Sequence, residues 1–308
     1  MSRAPAARMG VGPSSVVLPQ QPPATGATLL DFLSTRFAHI SRTEWAQRMA
    51  GGSVCKADGE ALTADAPYCA GARIHYFRTL PGETPIHVQE TVLYQDAHIL
   101  VADKPHFLPV IPSGKYLHET LLVRLKQRLG LDDLVPLHRI DRDTAGLVLF
   151  STQPATRNAY YALFREHAVD KRYEAIAPWN PDLAWPLSRR SRIGAAAHFM
   201  QQTELDGAPN SWTEIAPLEV SGAWARYALR PHTGQRHQLR VHMAALGMPI
   251  AHDGIYPVLT PEAAPDYGRP LQLLARSIAF TDPLSGQARH FDSQHRLRPL
   301  TEFAGQAC

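Results

Sequence analysis

A carboxylate lies between two guanidinium groups in the string His138-Arg139-Ile140-Asp141-Arg142-Asp143-Thr144-Ala145-Gly146-Leu147-Val148-Leu149-Phe150. Arg139 and Arg142 favour the ionised form of Asp141, because a nearby opposite charge stabilises a carboxylate. A carboxylate kept charged and still is suited to act as a nucleophile rather than as a proton donor. The element that would hold it still follows at once. Leu147 to Phe150 is short, bulky and bounded by turn formers, the pattern of a buried strand. An Arg-x-Asp triplet by itself is more often a structural ion pair at a strand entrance; the much rarer full string argues for chemistry.

Other chemistries fit less well. The chain has 15 histidines, and His232, His237 and His242 invite a metal-hydrolase reading. On a helix, however, a step of five residues turns the side chain by about 140°, so these three cannot share a face. His252-Asp253 is a loop pair with no third ligand in register. We therefore expect no metal site. A Ser-His-Asp hydrolase would need a G-x-S-x-G elbow, and none is present. Neither spacing of the glycine-rich phosphate loops occurs either.

The elements around Asp141 suggest a mixed, mostly antiparallel α+β domain with a central sheet and flanking helices over residues 89–308. Strands are expected at Thr91 to Gln95, His98 to Ala102, Lys171 to Ala177, Trp212 to Ala216, Ala223 to Leu229 and Leu271 to Phe280. Helices are expected at Thr120 to Leu129, Thr156 to His167 and Gln235 to Leu246, the last capped by Thr233. Residues 27–80 look like a separate small α/β unit. Leu29, Phe32, Leu33, Phe37 and Ile40 recur at helical spacing, and Ser41 with Glu44 forms a capping box. Gly51-Gly52 ends that second helix, Asp58-Gly59 marks a turn, and Arg73 to Arg78 alternates as a closing strand. Residues 81–88 read as a linker. Residues 1–26, rich in Pro, Ala, Gly and Ser, read as a disordered tail without a signal core.

Composition narrows the classes further. At 308 residues, 44% hydrophobic and 19% charged, the chain is that of a soluble globular protein. Its net charge is only +3, so any nucleic-acid surface must come from local clusters. Candidates are Arg230, Arg236 and Arg240, and also Arg189, Arg190 and Arg192, which read equally well as a solvated loop after Pro186. Three cysteines without C-x-x-C spacing fit a reducing compartment, and a cytoplasmic location is expected.

His138 to Leu147 resembles the central H-R-L-D-x-x-T-S-G-L motif of the RluA-type RNA pseudouridine synthases, with Ile140 and Ala145 as conservative departures. Val169-Asp170-Lys171-Arg172-Tyr173-Glu174-Ala175 is similar to that family's V-x-K-x-Y-x-A segment. Thr233 to His242 is similar to T-G-R-x-H-Q-L-R-x-H, and Val101 to Pro105 to its V-x-[ND]-K-P entry. The likeness spans about residues 89–285. It departs at Gln235, where an arginine often follows the glycine, and at Leu274, where a histidine often precedes the alanine. Residues 27–80 are similar to S4-like RNA-binding domains through Ser41-Arg42 and Gly52-Ser53-Val54.

The resemblance implies an isomerase that needs no cofactor and acts on structured rRNA or tRNA. The N1–C1′ bond breaks, the base turns, and the link re-forms through C5. Asp141 becomes the nucleophile or base, with attack on the sugar or on the ring left open. Arg240 is the basic partner of Asp141, a forked guanidinium giving orientation as well as charge. With Arg236 and His237 it would occupy adjoining faces of the Gln235 to Leu246 helix. Tyr173 offers a stacking face and a hydroxyl for proton relay. The target base must leave its stack. Arg139 is the residue implied to fill the gap, by stacking its planar cation on the neighbouring bases. His138 is an orienting hydrogen-bond partner at the RNA site, Arg142, Arg236 and His237 are further RNA contacts, and Arg42 is the candidate of the small unit. A monomer with no obligate protein partner is expected. The rival is a catalytically silent RNA-binding protein on the same scaffold.

Overall fold

A computed structural model describes residues 5–22, 27–80, 82–260 and 264–303. They divide into two compact units. No helix among them is long and apolar enough to cross a membrane.

The first unit takes the described residues of 1–84 together with 111–132. Helix α1 (Leu29–Arg36) starts at a capping box. The Thr28 hydroxyl accepts the Asp31 amide, and the Asp31 carboxylate accepts the Thr28 amide. Helix α2 (Arg42–Ala50) has only half of the box expected there. Ser41 Oγ accepts the Glu44 amide at 3.1 Å, while the Glu44 carboxylate turns to Arg48. Gly52, at φ +65°, lets the chain leave the helix. Strands β1 (Ser14–Val17), β2 (Val54–Cys55) and β3 (Arg73–Tyr76) form an antiparallel sheet with β3 central, covering fully buried Leu33 and Trp45. β1 corrects the expectation of a disordered tail. A low-hydrophobicity average hides four residues that alternate in burial and pair with Arg73–Tyr76. Residues 1–4 and 23–26 of that tail lie outside the described residues.

Helix α3 (Leu121–Leu129), capped by Thr120, also belongs to this unit and not to the domain to which sequence order assigned it. Two interactions account for this. The Glu83 carboxylate accepts the amides of Leu117, His118 and Glu119 at 2.5–2.9 Å, and Val11, Leu80, Leu117 and Val123 form one apolar cluster.

The second unit is an α+β structure built on one large sheet. Its elements are β4 (Thr91–Gln95), β5 (Ile99–Lys104), β6 (Val135–Pro136), β7 (Ala145–Ser151), α4 (Arg157–Arg165), β8 (Asp170–Pro178), β9 (Leu187–Ala195), β10 (Gln202–Leu205), β11 (Ser211–Ser221), β12 (Trp224–Pro231), α5 (Gln238–Ala245), β13 (Leu273–Thr281) and β14 (Ala288–Asp292). Among the described residues the sheet has 11 strands, ordered β10-β9-β11-β12-β8-β13-β7-β5-β4, with β14 on β13 and β6 on β7. Every pairing is antiparallel except β13 with β7. Leu239 and Met243 of α5 pack on Tyr227, Leu229 and Leu273, and Tyr160 of α4 packs on Ile99, Leu147 and Leu149.

β7 is buried along all seven residues, as its apolar run requires. At its start Gly146 has φ +112°, and a Cβ there would lie 2.3 Å from the Ala275 carbonyl oxygen. Only glycine permits this close passage of β7 against β13. The Arg189–Arg192 cluster, open between loop and nucleic-acid surface, sits on β9, where burial alternates and Arg189 grips Glu204 through both oxygens. Helix α5 begins at Gln238, three residues later than expected, because the His237 backbone is left-handed at φ +56°. Thr233 does not cap it. The buried Gln238 amide replaces a cap: its oxygen accepts Thr233 Oγ1 at 2.7 Å and the Gln235 amide at 3.1 Å.

Candidate active site

Asp141 sits in the turn that delivers the chain into β7, where the Thr144 amide donates to the Asp141 carbonyl at 3.2 Å. Its Oδ2 accepts from Arg240 Nη1 at 3.2 Å, and its Oδ1 lies 3.8 Å from His237 Nε2. The side chain keeps 27% of its surface exposed, enough to touch a ligand. The two flanking arginines do not form the expected clamp. Arg142 directs its guanidinium to Asp143, Nε to Oδ1 at 2.8 Å and Nη2 to Oδ2 at 3.4 Å, and Arg139 is exposed. Arg142 is taken up by the competing carboxylate of Asp143, and Arg139 faces solvent. The cation on Asp141 comes from a residue 99 positions away.

Arg240 is fixed from its other side. Its side chain is 2% exposed, and Nε and Nη2 donate to the two oxygens of Asp253 at 2.8 and 2.6 Å. The Asp253 carboxylate is fully buried and also accepts the Ile255 and Tyr256 amides. Burial alone would weaken protonation of Arg240, but its bonds to Asp253, and then the charges of Asp253 and Asp141, raise its pKa above the ordinary arginine value. A charged guanidinium is thus held rigidly beside Asp141.

His237 reaches the same point from the residue before α5. Its Nδ1 is 3.0 Å from Tyr256 Oη, and Tyr256 Oη accepts the Gln202 amide at 2.7 Å. Burial lowers the His237 pKa, although Asp141 pulls the other way. Tyr173 lies on β8 between Leu229 and Ala275. Burial, and then the Asp141 charge, hold its hydroxyl above the usual tyrosine range, so it keeps its proton at neutral pH. Lys104 closes the floor: its fully buried Nζ donates to the Pro105 and Arg142 carbonyls, each at 2.9 Å. Desolvation lowers it to about 7, against the pull of Asp143 and Asp141. It braces the backbone of the turn that carries Asp141.

His138 takes a supporting place. Its Nε2 accepts the Leu149 amide at 3.1 Å, its ring stacks on Phe164 with centroids 4.9 Å apart, and desolvation lowers it to about 3. It is neutral and ties the 138–141 segment to β7. Arg236 donates to the Phe199 and Met200 carbonyls at 3.1 and 3.2 Å, outside the helix expected to hold it. Arg42 belongs to the first unit, where it pairs with Asp31. His232 stacks on Trp212, and His242 is buried among Thr213, Ser191 and Ser211 hydroxyls. Of the predicted residues, Asp141, Arg240 and His237 are in mutual reach, and Tyr173 is close enough to feel the Asp141 charge. Asp253, Tyr256 and Lys104 were missed as site residues. Lys104 alone had a signal, since its position matched the V-x-[ND]-K-P pattern.

The family model described as RNA pseudouridylate synthase matches residues 98–245. An RNA pseudouridine synthase of Synechocystis sp., slr1592, is 32% identical over 234 residues, covering 74% of this chain and 79% of that protein. The dual-specificity RNA pseudouridine synthase RluA of Salmonella typhi is 31% identical over 211 residues, covering 65% of this chain and 90% of that protein. Human RNA pseudouridylate synthase domain containing 1 shares the fold, with a TM-score of 0.54 at 21% identity, covering 70% of this chain and 93% of that one. The chain therefore belongs to the RluA-like family of RNA pseudouridine synthases, isomerases that act on RNA.

Proposed function

We propose that Asp141 is the nucleophile with which this enzyme converts one uridine of a structured ribosomal or transfer RNA to pseudouridine. The supporting observation is the division of labour among three clustered carboxylates. Asp143 and Asp253 are each gripped through both oxygens by a guanidinium. Asp141 has one contact at 3.2 Å and one oxygen with lone pairs to spare. The N1–C1′ bond breaks, C5 bonds to C1′, the C5 proton leaves to solvent and N1 gains one, so no electron or phosphate donor is needed. Protonated Tyr173 supplies a ring face and a donor. Arg240 orients the carboxylate through its 3.2 Å contact. Exposed Arg139 stacks where the flipped base has left. His237, Arg142 and Arg236 contact the RNA directly or through the loops they hold. The first unit, read as S4-like, adds phosphate contacts through Arg42. The enzyme works as a monomer in the cytoplasm.

The test is tritium release from RNA carrying [5-³H]uridine. Asp141→Asn abolishes release while RNA retention on a filter persists. Full turnover by that variant would remove Asp141 from the nucleophile's role. Retention without release by the unmodified protein would leave a silent binder.

A further inference from the structure

The turn between β9 and β10 carries Phe199 with 77% of its surface in water. A single exposed hydrophobic residue is ordinary and by itself signifies nothing. The attachment of this turn sets it apart. Arg236 donates to the Phe199 and Met200 carbonyls at 3.1 and 3.2 Å. Gln201 Nε2 donates to the Ile255 carbonyl at 2.7 Å, and the Gln202 amide donates to Tyr256 Oη at 2.7 Å. Tyr256 Oη is 3.0 Å from His237 Nδ1, and His237 Nε2 is 3.8 Å from Asp141. Hydrogen-bond-length contacts thus tie the turn to His237, whose ring approaches the reactive carboxylate. The backbone is pinned while the ring projects, and His198 leans on it with centroids 4.9 Å apart. Holding an aromatic ring in water by its backbone costs conformational freedom and covers no apolar surface of its own, so the ring is placed for something that arrives.

We propose that Phe199 is a stacking contact for an RNA base next to the uridine held at Asp141, with Tyr256 as the positioning residue that registers the turn against the site. This rests on the functional reading above and deepens it. A base presents a π-face whatever its identity, so the contact fixes the position of the RNA without reading its sequence.

The experiment uses Asp141→Asn as the parent, so that binding is read without turnover, with unmodified ribosomal RNA and unmodified transfer RNA as separate filter-binding probes. Alanine removal of a stacked base partner corresponds to about 5- to 150-fold in affinity. Adding Phe199→Ala raises Kd at least about fivefold on the RNA that the unmodified enzyme turns over. Phe199→Trp and Phe199→Tyr stay near the parent, whereas Phe199→Leu, apolar without a π-face, behaves like alanine. The slope of log Kd against log salt is unchanged, because no phosphate contact is lost. A Kd unmoved by alanine, rescue by leucine equal to that by tryptophan, or a reduced salt slope would each overturn the proposal. Turnover by the Asp141→Asn parent would sink the nucleophile assignment instead, leaving the binding comparison readable.

Discussion

Arg240 holds two carboxylates that should behave in opposite ways when removed. In Asp253→Asn, the amide oxygen keeps the Oδ1 position that accepts three donors, so the NH2 faces Arg240 Nε and two donors meet where the 2.8 Å bond stood. Arg240, 2% exposed, cannot turn to water for compensation. Breaking a buried pair from one side costs about 3–5 kcal/mol. For a unit of this size each kcal/mol lowers the melting temperature by about 2–4 °C, so a drop of about 10 °C is expected. Asp141→Asn removes a single 3.2 Å contact from a side chain 27% exposed. That loss stays within about 1 kcal/mol, as for other partly solvated pairs. Activity divides differently. Asp141→Asn abolishes tritium release, whereas Asp253→Asn lets the guanidinium drift, and a misplacement of about 1 Å lowers turnover on the order of 100-fold. Thermal melts followed by near-ultraviolet circular dichroism, paired with single-turnover tritium release, measure both. If Asp141→Asn were the variant that melts about 10 °C early while Asp253→Asn melted like the parent, the assignment of stability to Asp253 would be refuted.

Two further outcomes follow from the packing. Gly146→Ala places a methyl 2.3 Å from the Ala275 oxygen at φ +112°, and should destabilise by more than about 4 kcal/mol with loss of activity, while Gly12→Ala, with open space around its Cβ, is neutral; urea titration of the two variants decides. His106, His138 and His242 are lowered by desolvation to about 4, 3 and 4, so each binds its proton more readily when unfolded. Their contribution is complete above the unfolded value near 6.5 and is lost as pH falls toward the folded values. Stability should fall by roughly 3–4 kcal/mol between pH 5.5 and 4.5, and a flat urea midpoint across that window would refute the three neutral rings.

The parts legible in the sequence are those whose cause is local. The buried run of β7, the helical spacing of α1 and the Ser41 cap of α2 are each written within ten residues. β9 and β14 are rich in arginine, serine, histidine and aspartate, so their composition resembles a loop although their burial alternates, and the four-residue β10 shows no alternation at all. The start of α5 was misplaced because a buried glutamine amide, not the threonine before it, organises the turn. Asp141 is marked by its place between two arginines ahead of a buried strand, and Arg240 by motif likeness. Asp253 was passed over as a loop residue, since its importance comes wholly from a guanidinium on another element.

The place of β13 in the sheet sets the order in which the molecule can be finished. This strand, Leu273–Thr281, enters between β8 and β7, each of which ends synthesis of its own residues about a hundred positions earlier. While a ribosome extends the chain, both inner strands show bare hydrogen-bonding edges to the surrounding solution, a state prone to self-association. The arginine and its buried anchor also emerge late. The central sheet therefore cannot close until Thr281 is out, and slow closure through distant pairings should be its rate-determining step.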